Sequence, residues 1–405
     1  MEAIFVISEV VLAGLVFIFN LLGMRSAISI SFAASFIVIL VYLVFSGIAK
    51  RANSILLILI VLSGLNVLIN GTMNHNVSIN FDYLKKLFFF YTSIIFFQLV
   101  VQIEITKKTA GIIERIVLAM TVFLVIDYYI LGNHTMLGRY LTLGFTNPNF
   151  TAMWLMHLGL FLIYYFVAIK SRFLKVFCVA AFIFVISIIL KTENRSTLVV
   201  FAFFFVMFAI GAIRKKYSLH KVTLIVAVLF PFIFFMLYRL LLSNTAITKF
   251  FEFAVSIGKG LDSRKRIWDY ATGLLLDNGW IIGDYASLHV NNSTGMLQMH
   301  NSHLDVLVSY GIIPFVLFLF VHYKIIKTAN EKIISFKQYV AFCCFLSVMM
   351  HGTFEAGIYA GCTGLNFLSG VFLLVAMMNS TDEGCNSTDE GCVHQKEALP
   401  ERTYE

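Results

Sequence analysis

Residues 170–216 read KSRFLKVFCVAAFIFVISIILKTENRSTLVVFAFFFVMFAIGAIRKK. Two apolar runs, 176–190 and 197–213, enclose a short polar turn, Lys191 to Ser196. The distal flanks carry Lys170, Arg172 and Lys175 on one side and Arg214, Lys215 and Lys216 on the other. As helices, such runs approach the ~30 Å of a bilayer's hydrocarbon core. Basic residues gathered at the two distal flanks mark those flanks as the cytoplasmic side. The stretch reads as a transmembrane hairpin.

The same pattern extends over the chain. Of 405 residues 60% are hydrophobic and 13% charged, with 42 Phe, and the mean hydropathy is +0.88. Soluble domains are about half apolar and a quarter charged, so the solvent for this chain is lipid. Lipid satisfies no backbone group, which leaves helices as the economical way across. Apolar runs fall at 4–23, 27–47, 54–69, 87–103, 116–131, 150–169, 176–190, 197–213, 222–242, 304–323, 338–353 and 361–378. The expected fold is all-α, a polytopic bundle of about 12 transmembrane helices over residues 1–378. The first run lacks a basic flank and a small-residue cleavage site, and reads as a retained helix rather than a signal peptide. The net charge of +8 is spread over short loops, so a nucleic-acid partner is not expected.

With both termini in the cytoplasm, the inner loops hold 16 Lys and Arg and the outer short loops hold six: Arg25, Lys85, Lys86, Arg139, Lys191 and Arg195. Short loops obey this bias, whereas long ones translocate despite their charge. The long segment, about 243–303, is thereby assigned to the extracytoplasmic face. Within it, Ala246 to Ile257 suits a helix lying in the membrane interface. Ser263 to Asn278 has helical spacing after an Asp262-Ser263 cap, and Gly283 and Asn291 to Gly295 read as loop. The tail, 379–405, repeats NSTDEGC identically at 379–385 and 386–392; it is acidic and reads as a disordered cytoplasmic extension.

Ionisable residues at membrane depth are costly and invite a functional reading. Glu9 and Arg25 lie near the ends of their runs and are expected to snorkel. Asp127 reads as locally hydrogen-bonded and His157 as a satisfied polar residue between helices. Cys178, Cys343 and Cys344 read as small core hydrophobes. The outer face is different: Arg139, Arg195, Arg239, Arg264, Lys265, Arg266 and His300 fall on the side where cations are disfavoured. Either Arg195 simply pairs with Glu193, or the guanidiniums form a pool for a phosphate-bearing ligand, which Arg binds in bidentate fashion. His300 stands where the long loop enters the next helix, accessible to take a proton from a hydroxyl. A His-Asn helix cap, or a metal held with His303 on one helical face, are the alternatives.

The stretch His300-Asn301-Ser302-x-Leu304-x-x-Leu307-x-x-x-Gly311-Ile312-Ile313 resembles the His-Asn signature of the O-antigen ligase and O-antigen polymerase superfamily. Ser263-Arg264-x-x-Ile267-Trp268, continuing through Asp277-Asn278 to Ile282-Gly283, is similar to that family's Arg-x-x-x-Trp and Asn-Pro-x-x-Gly stretch, with Gly279 and Trp280 departing from it. Asn194-Arg195-Ser196, Asn147-Pro148-Asn149 and His351-Gly352-Thr353-Phe354-Glu355 resemble further family elements. The resemblance covers about residues 140–360.

It implies a metal-independent glycosyltransferase, with no cofactor, acting on a polyprenyl-diphosphate-linked oligosaccharide donor and acceptor at the outer face of a bacterial plasma membrane. A flippase and a chain-length regulator are the implied protein partners. By this resemblance His300 is the candidate base, and Arg195 and Arg264 are the diphosphate contacts. Arg139, Arg266, Arg239, Asn301 and Glu355 stand behind them at the substrate. Polymerase and ligase differ mainly in acceptor: another lipid-linked repeat unit for the first, lipid A-core or a protein for the second. A transporter or flippase, the non-enzyme alternative, would show paired half-repeats and midplane charges, and the sequence has no repeat beyond its tail.

Overall fold

The computed structural model describes residues 1–46, 54–73, 81–145, 147–215, 217–242, 261–276, 280–284, 299–355 and 363–378. The duplicated tail, the 246–257 segment and Asn291 to Gly295 lie outside them. Each apolar run folds as helix, which closes its own hydrogen bonds and leaves apolar side chains outermost. In order these are α1 (Glu2–Leu21), α2 (Arg25–Ser46), α3 (Ser54–Met73), α4 (Phe81–Val100), α5 (Lys107–Tyr129), α6 (Pro148–Ala168), α7 (Arg172–Thr192), α8 (Arg195–Arg214) and α9 (Lys221–Leu242). Then come α10 (Leu261–Leu274), α11 (Trp280–Ile282), α12 (Ser302–Tyr310), α13 (Ile312–Glu331), α14 (Phe336–His351) and α15 (Thr363–Ala376). Among the described residues one hairpin interrupts the helices: β1 (Met136–Leu137) pairs antiparallel with β2 (Tyr140–Leu141), Met136 opposite Leu141.

Among the described residues, eight helices are long and apolar enough to cross a membrane: α1, α3, α5, α6, α7, α8, α9 and α13. Shorter apolar stretches lie in α2, α4 and α15. The chain is a helical membrane protein whose lipid face is legible in its exposure: Val44, Phe45, Phe173 and Ile213 stand open, as apolar residues facing acyl chains should. The centre belongs to α6 and α14, where Trp154, Leu158, Tyr164, Tyr339, Phe342 and Val348 are buried. Hydroxyls in the bundle return to their own helix, as Ser63 to Leu59, Thr92 to Phe88 and Ser369 to Leu365 carbonyls do. This removes their cost in an apolar surround.

Three expectations need correction. Run 304–323 is not one helix. Gly311 sits at φ 83, ψ 179 and divides it into α12 and α13. Only glycine tolerates that conformation, and a Cβ there would overlap the Ile281 carbonyl. Pro314 falls in the first turn of α13, where its missing N–H costs nothing. Glu9 does not reach the interface: it is fully buried between α1 and α2 and accepts a 2.7 Å hydrogen bond from the Ser35 hydroxyl. The expected 263–278 helix begins at Leu261, which puts Asp262 and Ser263 inside its first turn rather than before it.

The break at Gly311 folds α12 back along α13. The rings of His303, one residue into α12, and His322, ten residues into α13, are 6.0 Å apart. Ten residues of helix are about 15 Å, so α12 starts deep in the bundle and climbs to the corner. The corner is held from α3: the Asn66 amide donates to the Tyr310 carbonyl at 2.6 Å, and Asn70 donates to the Gly283 carbonyl at 2.9 Å. At the deep end α9 supplies the acceptors. Asn301 Nδ2 donates to the Pro231 carbonyl at 2.8 Å and His303 Nε2 lies 2.7 Å from the Val228 carbonyl. Pro231, ten residues after Lys221, lies inside α9 and removes one donor from its ladder.

Candidate functional site

Four separate helix ends meet where α12 begins. Asn147 and Asn194 cap α6 and α8, Asn301 caps α12, and the chain leaves α14 after His351. Asn301 is wholly buried, and its Oδ1 accepts from the N–H groups of His303 and Leu304 at 3.1 and 3.0 Å. Its Nδ2 ties α12 to Pro231 and, at 3.3 Å, to the Thr353 carbonyl. Ser302 donates its N–H to the Gly352 carbonyl at 2.8 Å and its hydroxyl to the Glu355 carbonyl at 3.1 Å. The irregular backbone at this depth therefore finds protein partners, as membrane burial demands.

Because Asn301 is the cap, His300 lies outside the helix, with a left-handed φ of 46. It therefore shares no helical face with His303, the arrangement that the metal alternative required. The two imidazoles go separate ways. His303 is buried against α9 and the Phe315 and Phe318 rings. His300 Nδ1 lies 2.6 Å from Glu355 Oε2, with side-chain exposures of 27% and 4%. With Glu355 ionised and the ring neutral, Nδ1 carries the hydrogen and Nε2 presents its lone pair. This is a buried acid orienting a half-exposed base, the arrangement general-base chemistry uses.

Beyond the pair runs a chain of amides. Asn149 Nδ2 donates to Glu355 Oε1 at 3.1 Å, and Asn194 Nδ2 donates to Asn149 Oδ1 at 2.9 Å. Asn194 Oδ1 accepts from the Ser196 hydroxyl at 2.7 Å and from the N–H and hydroxyl of Thr197, each at 3.0 Å. Ser196 Oγ is 3.4 Å from His351 Nε2. The resembling elements at 147–149, 194–196, 300–302 and 351–355 thus form one connected polar cluster.

Beside it lies a small aromatic cluster. Trp268 of α10 donates its indole N–H to the Met299 carbonyl at 2.8 Å. It stands edge-on to Phe235 and Tyr238 at 5.6 and 4.8 Å, while Phe234 packs on Phe354 at 5.3 Å. This fixes the residues flanking both members of the His300–Glu355 pair.

The cations distribute unevenly. Arg195 is the first residue of α8, exposed, between two residues of the polar cluster. Arg139 lies on the hairpin turn and bonds Glu193 at 2.9 Å, so the carboxylate two positions before Arg195 has Arg139 as a partner. Arg139 also covers the Tyr140 ring at 5.1 Å. Arg239 belongs to α9, and Arg264 and Arg266 to α10; their side chains lie outside the described residues. His157 is satisfied between helices, Nδ1 at 2.8 Å from the Met153 carbonyl and Nε2 at 2.9 Å from Ser369 Oγ. Asn149, Asn194 and His351 carried no assigned role in the sequence. Their signals are position, polar side chains at the ends of apolar runs, and their place in the segments that resemble the family's.

No protein-family model matches the chain, and no curated protein matches it.

Proposed function

We propose that the protein is an O-antigen or capsular polysaccharide polymerase, a metal-independent glycosyltransferase that joins polyprenyl-diphosphate-linked oligosaccharide repeat units. The observation that carries this reading is the 2.6 Å contact between His300 Nδ1 and Glu355 Oε2. It leaves a partly exposed imidazole where four helix ends of a membrane bundle meet, within reach of a substrate tethered to lipid. Arg195 stands at the margin of the same cluster.

The reaction follows from these groups. The acceptor hydroxyl oxygen attacks the anomeric carbon of the donor while Nε2 of His300 takes its proton. The glycosidic bond forms as the bond from that carbon to the diphosphate breaks. Charge grows on the departing polyprenyl diphosphate, and guanidiniums of Arg195 and Arg264 stabilise it. The proton then passes from His300 to solvent. Arg139, Arg239 and Arg266 add positive potential around the donor, while Glu355 holds the base.

The helix ends facing away from the cluster begin or end at Lys107, Arg172, Arg214, Lys221 and Glu331, with Lys332 and Lys337 close by. Under the positive-inside rule those ends are cytoplasmic. This supports both termini inside the plasma membrane and the site on its outer face, where a flippase delivers the donor and a chain-length regulator acts on the product.

A strain lacking the gene tests the reading by gel electrophoresis of its polysaccharide. Single-repeat products are expected. Long lipid-linked chains that stay unattached would make the protein a ligase, and an unchanged ladder would exclude both.

A further inference from the structure

Hydrogen bonds have direction, and along the part-buried chain from α8 to residue 355 every direction is determined. The starting point is the N–H of Thr197, in the first turn of α8. It can only donate, and it points at Asn194 Oδ1 from 3.0 Å. The Asn194 amide therefore cannot turn over, and its Nδ2 faces Asn149 at 2.9 Å. Asn149 must meet that donor with its Oδ1, which leaves its own Nδ2 facing residue 355 at 3.1 Å. Residue 355 must accept there. Glu355, an acceptor at both oxygens when ionised, then also accepts at its second oxygen, where His300 Nδ1 stands at 2.6 Å.

We infer that the N-terminus of α8, through Asn194 and Asn149, holds residue 355 as an acceptor toward α6, and that the tautomer of His300 then follows from whether residue 355 is a carboxylate or an amide. Asn149 and Asn194 are positioning residues in this scheme. Neither meets substrate; together they carry the polarity of one backbone N–H as far as residue 355, whose side chain faces His300. Asn194 and Glu355 are buried, which keeps water from supplying alternative donors and acceptors. The catalytic meaning of the tautomer rests on the polymerase reading, but the tautomer itself does not.

The polarity argument predicts an inversion and its reversal. In Glu355→Gln, Asn149 still offers a donor, so the oxygen of the new amide turns to Asn149 and its NH2 turns to His300. Nδ1 must then accept, and the ring proton moves to Nε2. In Asn149→Asp combined with Glu355→Gln, the new carboxylate accepts from Asn194 with one oxygen and from the new amide's NH2 with the other. The amide oxygen now faces His300, and the proton returns to Nδ1. The double variant keeps the net charge and the shape of the wild-type site.

The experiment is nitrogen-15 NMR of histidine-labelled protein in detergent micelles, with His300 assigned by its loss in His300→Gln. Measured on the neutral ring, two-bond couplings tell which nitrogen bears hydrogen. Expected are Nδ1–H in the wild type, Nε2–H in Glu355→Gln and Nδ1–H again in the double variant. Nε2–H in the wild type overturns the inference without any variant of the chain Asn194–Asn149–Glu355 having to fold. So does Glu355→Gln that keeps Nδ1–H, or a double variant that stays at Nε2–H. Polysaccharide assembly is scored separately in the same variants. Tautomers that follow the prediction while assembly ignores them would remove the base role and the polymerase reading, and leave the relay intact.

Discussion

His300 and Glu355 are 55 residues apart in sequence, and their Nδ1 and Oε2 atoms are 2.6 Å apart in the fold. Two independent helix ends make that meeting: the cap of α12 sets where His300 sits, and the turn after α14 sets where Glu355 sits. Replacing His300 by Ala should cut the rate of polyprenyl diphosphate release by about 10²–10⁴-fold, the usual contribution of a general base. Glu355→Ala, which frees the imidazole to rotate and change tautomer, should cost roughly 10²-fold or more. Both proteins should stay in the membrane at wild-type level. Undiminished release from His300→Ala would remove it from the reaction.

Arg195 and Arg264 are proposed to hold the diphosphate through paired N–H groups. Each Arg→Ala change should then weaken donor binding by about 10- to 100-fold, the value of one or two charge-assisted hydrogen bonds. Lys at either position should recover little of it, because an ammonium lacks the planar fork. Binding of a fluorescent lipid diphosphate reads this directly. Full recovery with Lys would mean that only the charge matters.

Asn301 ends two orphan N–H groups with its Oδ1 and ties down two carbonyls with its Nδ2. Asn301→Ala should destabilise the protein by roughly 2–3 kcal/mol, a lost cap plus buried carbonyls left short. Asn301→Ser keeps a capping oxygen and should lose about half as much. Thermal unfolding in detergent ranks the two, and equal loss from both would show that the cap contributes nothing.

Gly311 should resist every replacement. Gly311→Ala forces a Cβ into φ 83, ψ 179 and against the Ile281 carbonyl, at a cost of about 1–3 kcal/mol from the backbone alone. A lowered Tm with His300 chemistry lost in parallel is expected, since the corner determines where α12 starts. An unchanged Tm would mean that α12 and α13 are not joined as described.

What the sequence disclosed and what it hid divide along physical lines. Apolar runs are a local property, so nearly every helix, and the burial of Cys178, Cys343 and Cys344, could be read directly. The Gly311 break was hidden because Ile312 and Ile313 continue the apolar run. Pro314 was the available clue, since proline belongs in a first turn rather than a helix interior. Glu9 looked like a run-end residue because its partner, Ser35, lies 26 positions away on α2. Asn149 and Glu355 are separated by 206 positions. No periodicity connects residues that meet only through the packing of α6, α8, α12 and α14, and only the resemblance had put their segments side by side.

The most direct test of the polymerase reading uses purified protein in liposomes with one polyprenyl-diphosphate-linked oligosaccharide, serving as both donor and acceptor. The account predicts a ladder of products rising by one repeat unit, one polyprenyl diphosphate released per bond formed, no loss in EDTA, and neither ladder nor release from His300→Ala. Lipid that is bound without being elongated, or a ladder that His300→Ala makes as well as the wild type, would contradict it.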